Sequence, residues 1–386
     1  MNDPLAASVV PRRIAVVANT SWYLFNFRAS LIRALQADGH RLFAVGGEGE
    51  FAGRLRDIGI EHRGLAFNLS GVNPIRELQS VWALRRVFRN DAIDVVLSFT
   101  PKGNIYSALA LTGLPAVLVM NISGLGTAFA NPGWLTRISD ALYRSTLQRA
   151  HWVFFQNEDD HQQFRSRRLV GHARTSRLPG SGVDLSAFRP SAETGPTSQG
   201  EPVFLMMARM LWDKGVGEFV EAARRVKAGH PRARFRLLGA LVPDHSRGVP
   251  EATLRHWVQE GVVEYLGVLD DVRPQLLQAD CVVLPSYREG LPRSLLEAAA
   301  SARPVIAADS VGCRDAVDDG VSGYLCRVRD VEDLARQMLR MLALSPDERR
   351  RMGEAGRAKV EREFDEGIVI DAYRQRVRAL SAAYGR

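Results

Sequence analysis

Cys281-Val-Val-Leu-Pro-Ser-Tyr-Arg-Glu-Gly-Leu-Pro-Arg-Ser-Leu-Leu-Glu297 begins as a short apolar run, turns through Gly290 and Pro292, and continues with helical character. A strand that gives way to a helix through a tight turn is half of a β/α unit. The alternation extends outward from it. On the N-terminal side the pattern predicts a strand Val203–Met207, a helix Val216–Ala228 and a strand Arg234–Leu238, then a helix Glu251–Glu260, a strand Val262–Leu266 and a helix Val272–Leu277. On the C-terminal side it predicts a helix Arg293–Ser301 and a strand Pro304–Ala307 that ends the sheet. Strands alternating with helices imply an α/β protein with parallel sheets covered on both faces.

A second series precedes the first. The pattern predicts strands Arg12–Ala18, His40–Val45, Asp94–Phe99, Ala116–Met120 and Trp152–Gln156, with helices Arg28–Asp38, Pro74–Arg89, Asn104–Thr112 and Leu135–Arg149 between them. Residues 186–202 carry three prolines and two glycines among Ser and Thr, the composition of a linker. The expected organisation is therefore a first domain over 1–185, the linker 186–202, a second domain over 203–365, and a final helical stretch 366–386.

The chain has 386 residues, 46% of them apolar, and a formal net charge of +8. That composition excludes wholesale disorder. Residues 1–185 carry 21 Lys/Arg against 14 Asp/Glu, so the basic excess lies almost wholly in the first half. Such a surface suits nucleic acid, anionic lipid or phosphorylated small molecules. No helix-turn-helix, zinc-finger or RNP pattern occurs, and no nucleic-acid partner is expected. The cysteines, Cys281, Cys313 and Cys326, are scattered and fit a reduced, cytoplasmic protein. The N-terminus lacks a signal-peptide pattern, and no stretch has the apolar length of a membrane span.

The chemistry concentrates after the strands. The helix start at Gly290, Leu291, Pro292, Arg293 and Ser294 suits an anion such as a diphosphate. Glu289 and Glu297 flank it and would repel phosphate on contact, so they suit the neutral hydroxyls at the ends of a sugar–diphosphate–ribose ligand. In Ala208-Arg-Met-Leu-Trp-Asp-Lys-Gly215, Arg209 and Lys214 converge on one anion, one as a planar fork and one as a point charge. No Asp-x-Asp occurs and the eight histidines form no cluster, so no metal and no cofactor are expected.

Arg209, Lys214 and the Glu289-x7-Glu297 spacing, followed by Pro304-Val-Ile-Ala-Ala-Asp-Ser-Val-Gly312, resemble the family 4 retaining glycosyltransferases of GT-B fold. Gly180-Ser-Gly-Val-Asp-Leu-Ser-Ala-Phe-Arg-Pro190 is similar to that family's strand-to-linker signature, and Gly320-Val-Ser-Gly-Tyr-Leu325 to the strand after its donor site. The resemblance implies two Rossmann-like domains facing each other across a cleft, with the last helix returning to the first domain. It also implies that Arg209 and Lys214 neutralise a donor diphosphate, that Glu289 holds donor-sugar hydroxyls, and that Glu297 holds ribose hydroxyls.

Three segments of the first half follow strands: Asn19-Thr-Ser-Trp-Tyr-Leu-Phe-Asn-Phe-Arg28, read as a loop, Thr100-Pro-Lys-Gly-Asn-Ile-Tyr106, and Asn121-Ile-Ser-Gly-Leu-Gly-Thr-Ala-Phe129. Strand C-terminal ends are where open α/β sheets bind ligands. With Leu142-Tyr-Arg144 and Phe154-Phe-Gln-Asn-Glu-Asp-Asp160, these blocks resemble the enzymes that extend undecaprenyl-diphosphate-linked sugars, of the N-acetylgalactosaminyltransferase type. The resemblance implies a nucleotide-sugar donor, expected to be UDP-linked, and a lipid-linked saccharide acceptor in polysaccharide assembly. Asn19, Trp22, Tyr23, Asn26, Lys102, Asn121, Ser123 and Gly124 are the candidate acceptor residues. Asn121, Ser123 and the Gly124 turn stand where many members of the family place a histidine.

The basic first half reads as a peripheral contact with the anionic cytoplasmic face of an inner membrane, or as a solvated basic face. The candidate contacts are Trp22, Tyr23, Phe25 and Phe27, with Lys102, Arg137, Arg144, Arg165, Arg167 and Arg168. A soluble-acceptor glycosyltransferase, a nucleotide-sugar epimerase and a non-catalytic sugar-nucleotide sensor share the same donor motifs and stay open at this point.

Overall fold

The structure is a computed structural model that describes residues 10–65, 74–124, 134–190, 201–242 and 245–384. It divides into two compact units, Met1–Ser181 with Val369–Arg386, and Gly182–Ile368.

In the first unit seven strands form a parallel sheet: β1 (Arg13–Val17), β2 (Arg41–Gly46), β3 (Glu61–Gly64), β4 (Val95–Ser98), β5 (Val117–Ile122), β6 (Trp152–Phe155) and β7 (Arg174–Arg177), in the spatial order β3-β2-β1-β4-β5-β6-β7. The central strands are buried along their whole length, as a sheet covered on both faces requires. One face packs against α3 (Pro74–Asn90), α4 (Pro101–Ala110) and α5 (Trp134–Leu147). The other carries α1 (Ser21–Ala37), α2 (Glu50–Asp57) and the C-terminal helix α13 (Glu366–Tyr384). The short helix α6 (Glu158–Ser166) lies between β6 and β7.

Two features depart from the sequence reading. The stretch 19–28 is not a loop, because α1 starts at Ser21. The Thr20 hydroxyl caps it by accepting from the Tyr23 amide at 3.2 Å. Leu24, Arg28, Leu31, Ile32 and Leu35 then follow helical spacing on its buried face. The edge strands β3 and β7 went unread because Glu-His-Arg-Gly and Arg-Thr-Ser-Arg are polar, as exposed sheet edges tend to be.

The C-terminal helix is locked into the first unit by a polar contact inside an aromatic cluster. The Tyr373 ring is fully buried against Phe154 (4.9 Å between centroids) and Phe99 (5.8 Å). Its hydroxyl accepts from Asn121 Nδ2 at 3.0 Å, while Asn121 Oδ1 accepts from Gln156 Nε2 at 3.1 Å. Arg374 Nε reaches Asp38 at 2.8 Å, and its terminal nitrogen donates to the Ala34 carbonyl at the end of α1.

The second unit repeats the architecture with β8 (Val203–Met207), β9 (Arg234–Leu238), β10 (Glu264–Tyr265), β11 (Cys281–Leu284), β12 (Val305–Ala308) and β13 (Gly323–Cys326), in the order β10-β9-β8-β11-β12-β13. The periodic reading ends the sheet at Pro304–Ala307, but β13 adds a further parallel strand, where the resemblance at Gly320–Leu325 implied one. Gly323 permits it, since a Cβ there would lie 2.2 Å from the Val305 carbonyl oxygen. The helices used below are α7 (Val216–Gly229), α8 (Glu251–Gln259), α9 (Arg273–Gln278), α10 (Arg293–Ala300), α11 (Val331–Ala343) and α12 (Pro346–Glu363).

Residues 182–190 pack within the second unit. The Val183 amide donates to the Phe364 carbonyl at 2.9 Å, the Glu366 amide donates to the Val183 carbonyl at 3.1 Å, and Phe188 joins the core. Gly182 is required there: its φ is +69°, and a Cβ would lie 2.4 Å from the Glu366 Cα. The Pro- and Gly-rich texture thus marks irregular backbone and not, at 186–190, a free linker. Residues 191–200 of the expected linker lie outside the described residues.

Tyr373→Phe should leave Asn121 Nδ2 buried without its partner and lower the stability of the first unit by about 1–3 kcal/mol. Urea unfolding followed by hydrogen exchange in β5 and β6 checks this. Unchanged protection there would mean that the hydroxyl does not hold the helix.

Candidate functional site

In both sheets the order of strands reverses beside the first strand of the unit, and the chain crosses to opposite faces there. The loops after these two neighbouring strands separate and leave a crevice, the place where doubly wound sheets bind ligands. In the second unit the two strands are β8 and β11. The loops that follow them carry Arg209 with Lys214, and Glu289 with Gly290.

Backbone contacts fix these loops. After β8 a 3-10 turn spans Trp212–Lys214 and ends at Gly215, whose φ is +78°. A Cβ on Gly215 would lie 2.3 Å from the Pro285 carbonyl oxygen, so the β8 and β11 loops touch through their main chains. The Tyr287 amide donates to the Asp213 carbonyl at 3.0 Å. On the other side the Glu289 amide donates to the Val311 carbonyl at 2.9 Å, and the Ser310 hydroxyl donates to the Ser286 carbonyl at 2.8 Å. Segment 285–290 is held between two neighbouring loops.

That clamp brings Lys214 Nζ to 2.5 Å from Glu289 Oε1, with the two side chains only 18% and 16% exposed. Arg293 and Glu297 form a second pair at 2.8 Å, one turn apart at the start of α10. No side chain caps α10, whose N-cap is Pro292. Leu295, Leu296 and Ala298 bury its opposite face, while Gly290 is buried and Leu291 packs on the core. Burial pushes the Glu297 carboxyl above the usual carboxylate range, and Arg293 acts in the opposite direction.

The geometry adds two pairings to the sequence reading. Lys214 does not stand with Arg209 as a bare cation pair; it neutralises Glu289. Arg209 is exposed and makes no hydrogen bond or ion pair among the described residues. The expected repulsion of an anion by the two carboxylates is also relieved, because each already has a cation. Ser294 lies half-buried in the first turn of α10.

Two supporting pairs were not legible. Arg247, from the loop after β9, reaches Asp213 at 2.5 Å, and the Tyr287 hydroxyl donates to Glu218 at 2.6 Å. Burial, followed by the Glu218 contact, raises the Tyr287 phenol well above its ordinary value and keeps it a donor. Both pairs join residues more than thirty positions apart, so no local pattern announces them.

The candidate residues of the first unit divide. Asn19 sits at its β1/β4 crevice, where Asn19 Oδ1 accepts from the Thr100 hydroxyl at 2.7 Å. Trp22, Tyr23 and Asn26 lie on α1: Trp22 is 48% exposed, the Tyr23 hydroxyl accepts from Arg28 at 2.8 Å, and Asn26 Nδ2 donates to the Trp22 carbonyl. Lys102 pairs with Glu77 at 2.8 Å. Asn121 is corrected outright. It is fully buried and both ends of its amide are occupied by Tyr373 and Gln156, so it braces the fold and does not face a substrate. Ser123 and Gly124 are half-buried at the end of β5. The remainder of that segment, 125–129, lies outside the described residues.

Sequence reasoning missed Arg28, which is buried over the Phe99 ring at 4.1 Å. The 24-28-31-35 spacing marks it as an inward position once the helix is begun at Ser21. Of the expected membrane contacts, Tyr23, Phe25 and Phe27 are half-buried, with Tyr23 and Phe25 packed on the core. Arg167 pairs with Asp140, and the Arg137 side chain lies outside the described residues.

Comparison with known proteins agrees with this architecture. Residues 27–180 match a glycosyl transferase 4-like domain, and residues 201–344 match the glycosyl transferases group 1 family. The N,N'-diacetylbacillosaminyl-diphospho-undecaprenol alpha-1,3-N-acetylgalactosaminyltransferase of Campylobacter jejuni is 28% identical over 377 residues, 94% of this chain and 97% of that protein. Sucrose-phosphate synthase from Thermosynechococcus elongatus superposes with a TM-score of 0.79 at 20% identity, over 96% of this chain and all (100%) of that one. Anabaena HepE in complex with UDP-glucose gives 0.78 at 17% identity, over 96% and 100%. Two α/β units of this kind, matched along both halves, define a glycosyltransferase of GT-B fold, and the chain belongs to family 4 of these enzymes.

Gly312 adjoins the clamp: its φ is +80°, and a Cβ would lie 2.5 Å from both the Glu289 and Gly290 carbonyl oxygens. Gly312→Ala should therefore cost about 1–3 kcal/mol more than Gly320→Ala. Gly320 has the same backbone hand (φ +75°) but nothing within 4 Å. Thermal unfolding of the two variants checks this. Equal costs would mean that the Glu289 loop gives way freely.

Proposed function

We propose that this enzyme transfers a hexose or N-acetylhexosamine from a nucleoside-diphosphate sugar, UDP-linked, to a hydroxyl of a polyprenyl-diphosphate-linked saccharide, with retention of configuration. The setting is surface polysaccharide or glycan assembly at the cytoplasmic face of the inner membrane. The observation that carries the donor half is the Lys214–Glu289 pair at the β8/β11 crevice beside the uncapped start of α10. The acceptor half rests on likeness along nearly the whole chain to an enzyme named for a diphospho-undecaprenol acceptor.

The pair explains how one site serves both anion and hydroxyl. A diphosphate at the start of α10 competes with Glu289 for Lys214. As Lys214 turns to the diphosphate, Glu289 is released to accept hydrogen bonds from sugar hydroxyls. Arg209, exposed at the edge of the same loop, adds the second cation. Negative charge grows on the diphosphate as the glycosidic bond breaks, so prearranged cations and helix amides stabilise that state more than the ground state. The departing phosphate oxygen takes the proton of the acceptor hydroxyl, which attacks from the same face. Glu297, paired to Arg293, holds the ribose hydroxyls. These protein groups supply the counter-charge, with no metal and no cofactor in the proposal.

The test is a donor screen against a short-chain polyprenyl-diphosphate saccharide, read by mass spectrometry. One added sugar residue on the lipid-linked product is expected. Extension of free sugars alone, or turnover of the nucleotide sugar without acceptor, would overturn the acceptor reading. Lys214→Ala and Glu289→Gln should each lower kcat by about 10²–10³-fold. Near-normal rates in both would remove the pair from the site. Activity should persist in excess EDTA, whereas its loss on chelation would require a metal-bridged diphosphate.

A further inference from the structure

Helix α3 carries an unusual outer face. Its core side is ordinary: Ser80, Leu84 and Phe88 are buried. The opposite side places Ile75, Leu78 and Trp82 in a line at spacings of three and four, and they are 69%, 66% and 73% exposed. Singly exposed apolar residues are commonplace, but three large ones on one helix face are not. Arg86 and Arg89 continue the face, both exposed, so the line runs from apolar to basic over about 21 Å of helix.

The surroundings are basic and their acids are already engaged. Helices α3, α4 and α5 contain seven Lys/Arg and two carboxylates, Glu77 and Asp140. Glu77 pairs with Lys102 and Asp140 with Arg167. Arg85 donates to the Ala110 and Thr112 carbonyls, which fixes α3 against the end of α4 and presents its outer face rigidly. Leu109 on α4 and Leu142 on α5 are also exposed in this helical layer.

We propose that the outer face of α3 is the surface by which this enzyme docks on an anionic phospholipid bilayer, with Ile75, Leu78 and Trp82 entering the headgroup layer and Arg86 and Arg89 meeting lipid phosphates. Tryptophan and aliphatic residues beside arginine are the chemistry of an interfacial helix. A second copy of the chain fits less well. A two-fold pairing of this face sets arginines against arginines or against the apolar line, with no unpaired carboxylate on the three helices to answer them. No described helix is long and apolar enough to cross a membrane. The proposal relocates the contact from α1 to α3, and it rests on the lipid-linked acceptor reading for its biological setting.

The experiment is co-sedimentation of the full chain with phosphatidylglycerol/phosphatidylethanolamine vesicles and with phosphatidylcholine vesicles. The wild type should partition onto the anionic vesicles, less so as salt is raised. Leu78→Ser/Trp82→Ser should reduce partitioning by about tenfold or more. Arg86→Glu/Arg89→Glu should do the same on anionic vesicles only. All four positions are exposed, so melting temperatures should stay at the wild-type value, and transfer to a short-chain acceptor in solution should be unchanged. Wild-type binding in both variants, or no binding by the wild type, overturns the proposal. So does a wild-type dimer that Leu78→Ser/Trp82→Ser makes monomeric while vesicle binding persists. Transfer to the soluble lipid-linked acceptor without vesicle binding would sink docking alone; vesicle binding without any such transfer would sink the acceptor reading alone.

Discussion

The Lys214–Glu289 arrangement depends on two parallel strands whose following helices leave toward opposite faces of one sheet. Because β8 and β11 are neighbours, their loops meet through their main chains at Gly215 and Pro285 before leading apart, and they carry opposite charges at Lys214 and Glu289. Main-chain contacts at Gly215, Glu289 and Gly312 fix these loops against one another. The Lys214–Glu289 pair at 2.5 Å follows from the clamp rather than causing it. A Lys–Glu contact between flexible loops would contribute little. Between loops held by their backbones, it becomes a preset charge arrangement, the one we propose a diphosphate exchanges into.

The same topological device operates in the first unit, with different chemistry. There the crevice between β1 and β4 is bridged by the neutral Asn19–Thr100 contact, and the nearby buried polar groups are engaged in structure. Asn121 spends both ends of its amide on holding Tyr373 and Gln156. The C-terminal helix is therefore a component of the first unit's core, although it is the last segment of the chain. A net charge of +8 conceals this division of labour. In the loops after β8 and β11 and at the start of α10, Lys214 is paired with Glu289 and Arg293 with Glu297 while Arg209 is exposed; Arg86 and Arg89 lie on the outer face of α3.

Much of this was legible because the central strands are short, fully buried, mainly apolar runs with paired valines, as at Cys281–Leu284 and Val95–Ser98. Gly290 and Pro292 also marked the helix start, since turn and first-turn residues act locally and Pro292 is the N-cap of α10. What could not be read was non-local. Nothing in sequence says that Lys214 meets Glu289, seventy-five positions away, or that Asn121 meets Tyr373, two hundred and fifty-two away. The start of α1 was misread for a different reason. Aromatic residues in 22–27 suggested a binding loop, but the Thr20 cap and the Leu24, Arg28, Leu31 spacing make them part of a helix. Exposure of the α3 face was hidden because an apolar residue in a helical pattern is ordinarily assigned to the core.

The central claim is that a donor diphosphate takes Lys214 from Glu289. A crystal structure of the enzyme with a nucleoside-diphosphate sugar tests it most directly, through the distance between Lys214 Nζ and Glu289 Oε1. The account predicts that this distance opens beyond hydrogen-bonding range, with Lys214 on the diphosphate at the start of α10 and Glu289 on a sugar hydroxyl. A diphosphate bound elsewhere, with the pair still closed at 2.5 Å, would contradict it.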